Sequence, residues 1–313
     1  MNSIMDTIKE SSSILLLTHE NPDGDAVGSV MALYHVLSDM DKDVDFIIID
    51  IPPVFSFLKS IDKVIPESNK EYDLAIVLDC SSKERISCNN NEFDRCKKSI
   101  VIDHHVSNTN YGTINHVEHN ISSCCQVLYY LLKDWNIEIT KDIAEALIVG
   151  VLTDTNGFGN IDIDKNTFLM AAELMDTGVN FNKLYYNVLS KKNMAQYLLT
   201  KITMDRLEFF ENGKIAFSYI TKDDIIKTGA KTGEHEGLVN IGRNIEGVEV
   251  SIFVREKEYY YISFRSNGNV SVNNIAARFG GGGHQNAGGA KAKGDFIDIK
   301  NKLIEETIKE LNK

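Results

Sequence analysis

SILLLTHENPDGDAVGSVMALYHVLSDM, residues 13–40, decides the fold. Its first seven residues form a short isoleucine–leucine run of the kind that makes a buried strand. The polar loop HENPDGD follows, with Pro22 and Gly24 setting a tight turn. From Asp25 to Met40 the period changes. Val27, Val30, Met31, Tyr34 and Leu37 recur at three- and four-residue steps and define one face of a helix.

The same alternation continues outward. VDFIIID (44–50), YDLAIVLDC (72–80) and KSIVIDHH (98–105) read as strands, and residues 122–135 and 140–155 as helices. Strands alternating with helices predict an α/β domain, a mostly parallel sheet with helices on both faces. Residues 166–211 read as helical, with breaks near Gly178 and Asn193. Then KIAFSYI (214–220), VEVSIFVRE (248–256) and EYYYISFRS (258–266) read as strands joined by short turns. FGGGGHQNAGGAKAKG (279–294) reads as a glycine-rich loop, and the final stretch as an amphipathic helix. The expected organisation is an N-terminal domain over 1–190, a helical linker over 191–205 and a smaller α/β domain over 206–313.

At 313 residues, two domains of about 150 residues each fit the length. A composition 43% hydrophobic and 25% charged is that of a folded chain with a sizeable core. The net charge of −12 argues against a non-specific grip on long duplex nucleic acid, though not against a short nucleotide in a local basic pocket. The five cysteines, Cys80, Cys88, Cys96, Cys124 and Cys125, form no CxxC pair. Their odd count and irregular spacing fit a reducing cytosol, so the expected location is cytoplasmic. No apolar run approaches the ~20 residues needed to span a bilayer, and no membrane partner is expected.

Chemistry gathers where these strands end. His19, Asp23 and Asp25 lie in one turn, Asp79 closes the strand of 72–80, and Asp103-His104-His105 closes that of 98–105. Open α/β sheets bind ligands beyond the carboxyl ends of their strands. Asp154 follows the apolar helix ALIVGVL, facing the negative end of its dipole, which is unfavourable without a cation or another partner. Each acid alone could be a solvated turn or a helix cap; Asp25, for instance, could cap the helix it precedes. Together they predict a two-ion site of oxygen and imidazole ligands, suited to Mn²⁺ or Mg²⁺. Two ions about 3.5–4 Å apart, sharing a carboxylate, activate a water for attack on phosphorus. His116 and His119 in NHVEHN, in what reads as a loop, and His35, within a helix, are expected to have no such role.

A second site is expected in GGGGHQNAGG (280–289), whose backbone amides can approach a phosphate closely. His284 within it and Arg265 at a strand end could add hydrogen bonds to the same anion.

In their order, HENPDGDAVGS, Asp79, DHH at 103–105, TDT at 153–155 and GGGGHQNAGGA resemble the DHH phosphoesterase superfamily with its C-terminal DHHA1 domain. The likeness covers essentially the whole chain and is nearest to the branch of short oligoribonucleases (nanoRNases) and 3′-phosphoadenosine-5′-phosphate phosphatases. It implies that His19, Asp23 and Asp79 hold one Mn²⁺, and Asp25, Asp79, His104 and Asp154 the other, with Co²⁺ or Mg²⁺ as possible substitutes. Asp79 would bridge, Asp103 would orient the histidines, and His105 would face the substrate phosphate. Arg265, Gly282, Gly283 and His284 would hold the far end of the substrate. The implied activity is hydrolysis of very short RNA or linear dinucleotides to 5′-mononucleotides, with the phosphatase reaction or a catalytically silent nucleotide-binding regulator as alternatives. A homodimer is compatible with these features. Gly159 stands where the family has a basic residue after the aromatic, which removes one substrate contact the likeness would supply.

Overall fold

The computed structural model describes residues 2–88, 91–159, 163–231, 233–283 and 285–313. They divide into two compact units, Met1–Lys191 and Lys192–Lys313. The first is built on five strands: β1 (Ser13–Leu17), β2 (Asp43–Ile47), β3 (Leu74–Leu78), β4 (Lys98–Asp103) and β5 (Ile114–Val117). All pairings are parallel, in the order β2-β1-β3-β4-β5. The chain moves from β1 outward to β2, then returns to the other side of β1 with β3. That reversal puts the topological switch point between β1 and β3, where a crevice opens beyond the strands' carboxyl ends.

The helices are α1 (Asn2–Glu10), α2 (Gly24–Asp39), the single turn α3 (Glu92–Arg95), α4 (Cys124–Asp134), α5 (Lys141–Asp154), α6 (Lys165–Met175) and α7 (Phe181–Tyr185). α7 runs into a π-helical turn over Tyr186–Ser190. Side chains alternate along each strand. Ile14, Leu16, Ile76, Ile100 and Ile102 therefore face one core, which they share with α2, α4 and α5. Leu15, Leu17, Val77 and Val101 face the other way and are covered by Tyr72, Ile86, Phe93 and Tyr111. Long helices thus pack one face of the sheet, while α3, short 3₁₀ turns and loops close the opposite one.

α2 and α5 approach closely because their contact is made of glycines. A Cβ on Gly28 would lie 2.5 Å from the carbonyl oxygen of Ala146, and one on Gly150 would lie 2.6 Å from Asp25 Oδ1 and strike Cys125 Sγ. A Cβ on Gly24 would strike Thr153. This packing brings the first turn of α2, with Asp25, against the last turn of α5, with Asp154.

Two local readings for this unit change. Asp23, not Asp25, caps α2, accepting from the N–H groups of Asp25 and Ala26. NHVEHN is not all loop, because Ile114–Val117 forms the edge strand β5 on β4. His116 lies in that strand and His119 in the turn after it.

The second unit carries β6 (Glu208–Phe210), β7 (Ile215–Ile220), β8 (Val250–Glu256), β9 (Tyr260–Ser266), β10 (Gly282–Gly283) and β11 (Ala287–Ala292). Their order is β10-β11-β9-β8-β7-β6, antiparallel except for the parallel pair β7–β8. Its helices are α8 (Met194–Asp205), α9 (Lys222–Thr228), α10 (Val239–Arg243), α11 (Val272–Ala277) and α12 (Phe296–Leu311). Phe217, Ile252, Phe264, Ile275 and Leu303 form the core on one face of the sheet. On the other face Leu199 of α8 packs with Ile220, Val239 and Phe253, so the helix of the expected linker region belongs to this unit's packing. Glu208–Phe210 is a strand where a helix was expected, its edge pairing with β7 overriding local helical periodicity. The glycine-rich segment is likewise not simply a loop: β10 and β11 form a hairpin. A Cβ on Gly281 or Gly283 would strike the carbonyls of Gly289 and Ala287, so the hairpin closes only without side chains there.

Among the described residues, no helix is long and apolar enough to cross a membrane. The α2–α5 contact gives a direct test of packing. Gly28→Ala gains roughly 1 kcal/mol of helix propensity but forces a methyl against backbone. Overpacking of this kind costs about 1–3 kcal/mol. The variant should therefore show a lower urea midpoint at unchanged m-value; an equal or higher midpoint would contradict the tight α2–α5 seam.

Candidate metal centre

The loops after β1, β3 and β4 and the end of α5 bring His19, Asp23, Asp25, Asp79, His104 and Asp154 together. Ligand-type atoms of three sets lie within 4.8 Å of one another: His19–Asp23–Asp79, Asp25–His104–Asp154 and Asp79–His104–His105. Asp79 belongs to two of the sets and stands between the imidazoles. Its Oδ2 is 3.7 Å from His19 Nε2, and its Oδ1 is 3.6 Å from His104 Nε2 and 3.4 Å from His105 Nδ1. Its backbone is left-handed, with φ +54°, a conformation uncommon outside glycine and asparagine that turns the carboxylate into the crevice.

Asp79 is 2% exposed, and its Oδ1 accepts no hydrogen bond. A buried carboxylate oxygen without a donor is costly unless a cation serves it. The surrounding donor set, imidazole nitrogen and carboxylate oxygen at 3.2–3.8 Å spacings, suits a divalent ion of the Mn²⁺ type.

The supporting bonds orient these groups. His19 Nδ1 donates to the carbonyl of Glu20 at 2.7 Å, and His104 Nδ1 to that of Ile121 at 3.1 Å. Each bond leaves Nε2 as the lone-pair nitrogen facing the carboxylates, the arrangement expected of histidine ligands. Asp25, fully buried, accepts from the backbone N–H groups of Cys124 and Cys125 at 2.6 and 2.9 Å. These amides open α4, so a helix N-terminus carries part of the burden of this charge. Asp154 Oδ2 lies 3.2 Å from His104 Nε2.

Asp103 is buried and differently used. It accepts from the N–H groups of His104 and His105, from His105 Nδ1 at 2.7 Å and from Asn108 Nδ2 at 2.6 Å. Its acceptor capacity is spent on the loop, which makes it a positioning residue. His105 Nδ1 is thereby occupied, so this histidine offers a proton rather than that lone pair.

Electrostatics follow the geometry. Burial and then the neighbouring carboxylates push Asp25 and Asp154 well above the usual carboxylate range. Burial would raise Asp79 too, but His19, His104 and His105 hold it below its ordinary value. Burial works against a charged His105, yet the Asp103 hydrogen bond and the charge of Asp79 raise it to about 9.

The sequence reading missed Asn108 and Tyr111. Asn108 Nδ2 also donates to the carbonyl of Cys80, and Tyr111 Oη donates to the same carbonyl at 2.9 Å. They tie the loop after β3 to the loop after β4. Nothing in VSNTNY marks them beyond an asparagine close behind the histidines. Arg265, Gly282 and Gly283 lie in the second unit. Arg265 is in β9, where its guanidinium donates to the carbonyl of Phe264, while burial and then Arg243 lower it. Gly282 and Gly283 are β10, and His284 lies outside the described residues.

Comparison with known proteins bears on both units. Residues 13–151 match the DHH family, N-terminal domain, and residues 212–312 match the DHHA1 domain. Two proteins named bifunctional oligoribonuclease and PAP phosphatase NrnA are each 29% identical. The one from Thermus thermophilus aligns over 95% of this chain and 89% of its own, and the one from Bacillus subtilis over 91% and 90%. The crystal structure of an exopolyphosphatase-related protein from Bacteroides fragilis superposes with a TM-score of 0.92. It is 26% identical and covers 98% of this chain and 95% of that one.

Two measurements probe the centre. In metal-free protein, Asp103→Asn should move the His105 pKa, followed by NMR, from about 9 down towards the ordinary value of about 6.5. An unmoved titration would mean that Asp103 does not charge this ring. The raised carboxylates give a second sign. Their stabilising contribution is complete below the unfolded pKa of about 4 and is lost as pH rises through the folded values. Added Mn²⁺ at a hundredfold excess over its pH 7 Kd should therefore stabilise the protein by about 2.7 kcal/mol at pH 7, and the same concentration should raise Tm less at pH 5. Equal or opposite shifts would count against a carboxylate metal site.

Proposed function

This chain belongs to the DHH family, and on that premise we propose that it is a divalent-metal phosphodiesterase. Its substrates are very short RNA oligonucleotides or linear dinucleotides, and its products 5′-mononucleotides. The observation that carries the reading is the buried, hydrogen-bond-free Oδ1 of Asp79, set among three imidazoles and further aspartates. The names of the Thermus and Bacillus relatives favour a second activity in the same site, removal of a phosphate from 3′-phosphoadenosine-5′-phosphate.

His19, Asp23 and Asp79 would hold one Mn²⁺, and Asp25, Asp79, His104 and Asp154 the other. When bound, such ions polarise a phosphoryl oxygen and lower the pKa of water. The chain's own groups do the rest. Glu20 and Ile121 carbonyls hold the His19 and His104 rings in the tautomer that presents Nε2. The α4 amides hold Asp25 in place. His105, kept protonated at neutral pH by Asp103, supplies a cationic donor for a phosphate oxygen. Asn108 and Tyr111 keep the two loops in register, so Asp79 and His105 are fixed before substrate arrives. Arg265, Gly282, Gly283 and His284 would hold the remainder of the substrate through their donors and backbone amides. All five cysteines are free, which is consistent with a cytoplasmic enzyme.

The test is turnover of end-labelled RNA oligomers of graded length with Mn²⁺, alongside 3′-phosphoadenosine-5′-phosphate. Di- to pentanucleotides should be cut to 5′-mononucleotides, and Asp79→Asn should lower kcat by about 10³ or more. Wild-type protein that leaves every one of these substrates intact, or an Asp79→Asn variant as active as wild type, would end the proposal.

A further inference from the structure

The sheet face on which α8 and α10 pack also carries, towards β9 and β11, a feature that the metal chemistry does not use. Arg255 of β8, Tyr261 of β9 and Lys291 of β11 stand in one row across three strands, paired in register. The Tyr261 ring centre is 5.1 Å from the Arg255 guanidinium and 5.2 Å from Lys291 Nζ. One step along the strands the next row holds Ser263 and Gly289. Together with His235 and Gly281 these residues line a cavity of about 490 Å³, within the size range of small-molecule sites.

A row of cations around a tyrosine is commonly just sheet-surface packing. Three observations separate this one from that reading. The row lines a cavity rather than a convex surface. None of the lining residues is acidic, although the chain carries a net charge of −12, and Glu236 and Glu258, whose charges act on Arg255, are not among them. His235 Nδ1 lies 3.4 Å from Arg255 Nη1. Burial and then Arg255 and Lys257 lower that histidine to about 4, so it is neutral and accepts from the guanidinium without cancelling its charge. The cavity is thus a preformed anion site with an aromatic wall and a glycine floor.

We propose that the Arg255–Tyr261–Lys291 cavity binds the phosphate of an additional nucleotide and so favours substrates longer than a dinucleotide. The proposal rests on the function proposed above and specifies its substrate. Arg265 lies on the same sheet face as Tyr261, four residues away, about 13 Å along the strand. A ligand held at Arg265 reaches the Arg255–Lys291 pair only by extending past one nucleotide. The glycine at 289 keeps the floor low: a Cβ there meets only the carbonyl of Ile262 at 3.6 Å, an ordinary contact, and otherwise occupies open space.

The full-length chain is tested in EDTA by fluorescence anisotropy with labelled 5′-phosphorylated di- and triadenylate. The wild type should bind the trinucleotide about tenfold more tightly. Arg255→Gln combined with Lys291→Gln should abolish that preference and lower the slope of log affinity against log salt by about 0.7, the loss of one phosphate contact. Gly289→Val, which fills the cavity without removing charge, should abolish the preference too. Thermal melts confirm that each variant is folded, and Lys291→Gln alone serves if the double variant is not. A wild type without the trinucleotide preference, or variants that retain it, overturns the proposal. Because binding is read without turnover, failure of the metal-supported hydrolysis assay rejects the proposed activity separately.

Discussion

Carboxylates crowded out of water are the constraint on which the N-terminal unit is organised. Asp25 and Asp79 are almost wholly buried, and Asp23 and Asp154 approach them from the ends of α2 and α5. Like charges at such spacing repel strongly in a low dielectric, and burial of any one without compensation costs several kcal/mol. The structure answers with three devices. Two main-chain amides at the start of α4 serve Asp25, three imidazoles surround Asp79, and the glycine seam lets α2 and α5 come close enough for Asp25 and Asp154 to share His104. These devices satisfy the charges unevenly. Asp25 and Asp154 stay raised while Asp79 is lowered, the pattern of a group still short of positive charge.

The same logic explains the division of labour in the DHH segment. Three adjacent residues of one strand end look interchangeable as polar groups, yet their side chains meet different partners. Asp103 is saturated by four donors, His104 turns Nε2 into the crevice, and His105 is held by Asp103. A buried acid with all its acceptors used cannot ligate an ion without losing the loop it organises. Asp103 therefore contributes through the histidines, and its effect on the reaction should follow the protonation of His105.

The parallel sheet and its helices were legible because each strand is a short apolar run and each long helix keeps its period, as in residues 13–40. The convergence of His19, Asp79 and His104 was legible for the same reason: each ends a strand, and strand ends on one side of a parallel sheet are neighbours. What periodicity could not reveal were features decided by distant partners. The β5 residues Ile114–Val117 are half-buried at a sheet edge and carry no apolar run. Glu208–Phe210 is three residues long, and its strand conformation comes from β7. β10 is two glycines and β11 opens Ala-Gly-Gly, too few large side chains to signal alternation, so glycine content read as loop. Asn108 and Tyr111 both donate to the carbonyl of Cys80, which lies 28 and 31 residues away in sequence.

A chain of net charge −12 repels a long polyanion at every distance where screening is incomplete. Attraction must then come from a few local sites strong enough to overcome that background. The aspartate cluster is such a site only when loaded with divalent ions, and the acid-free cavity of Arg255 and Lys291 is one without them. A further nucleotide beyond those sites meets the chain's net negative charge. If the proposed cavity takes the extra phosphate, affinity should rise while new phosphates find cations, and electrostatics alone would then set a short optimum length.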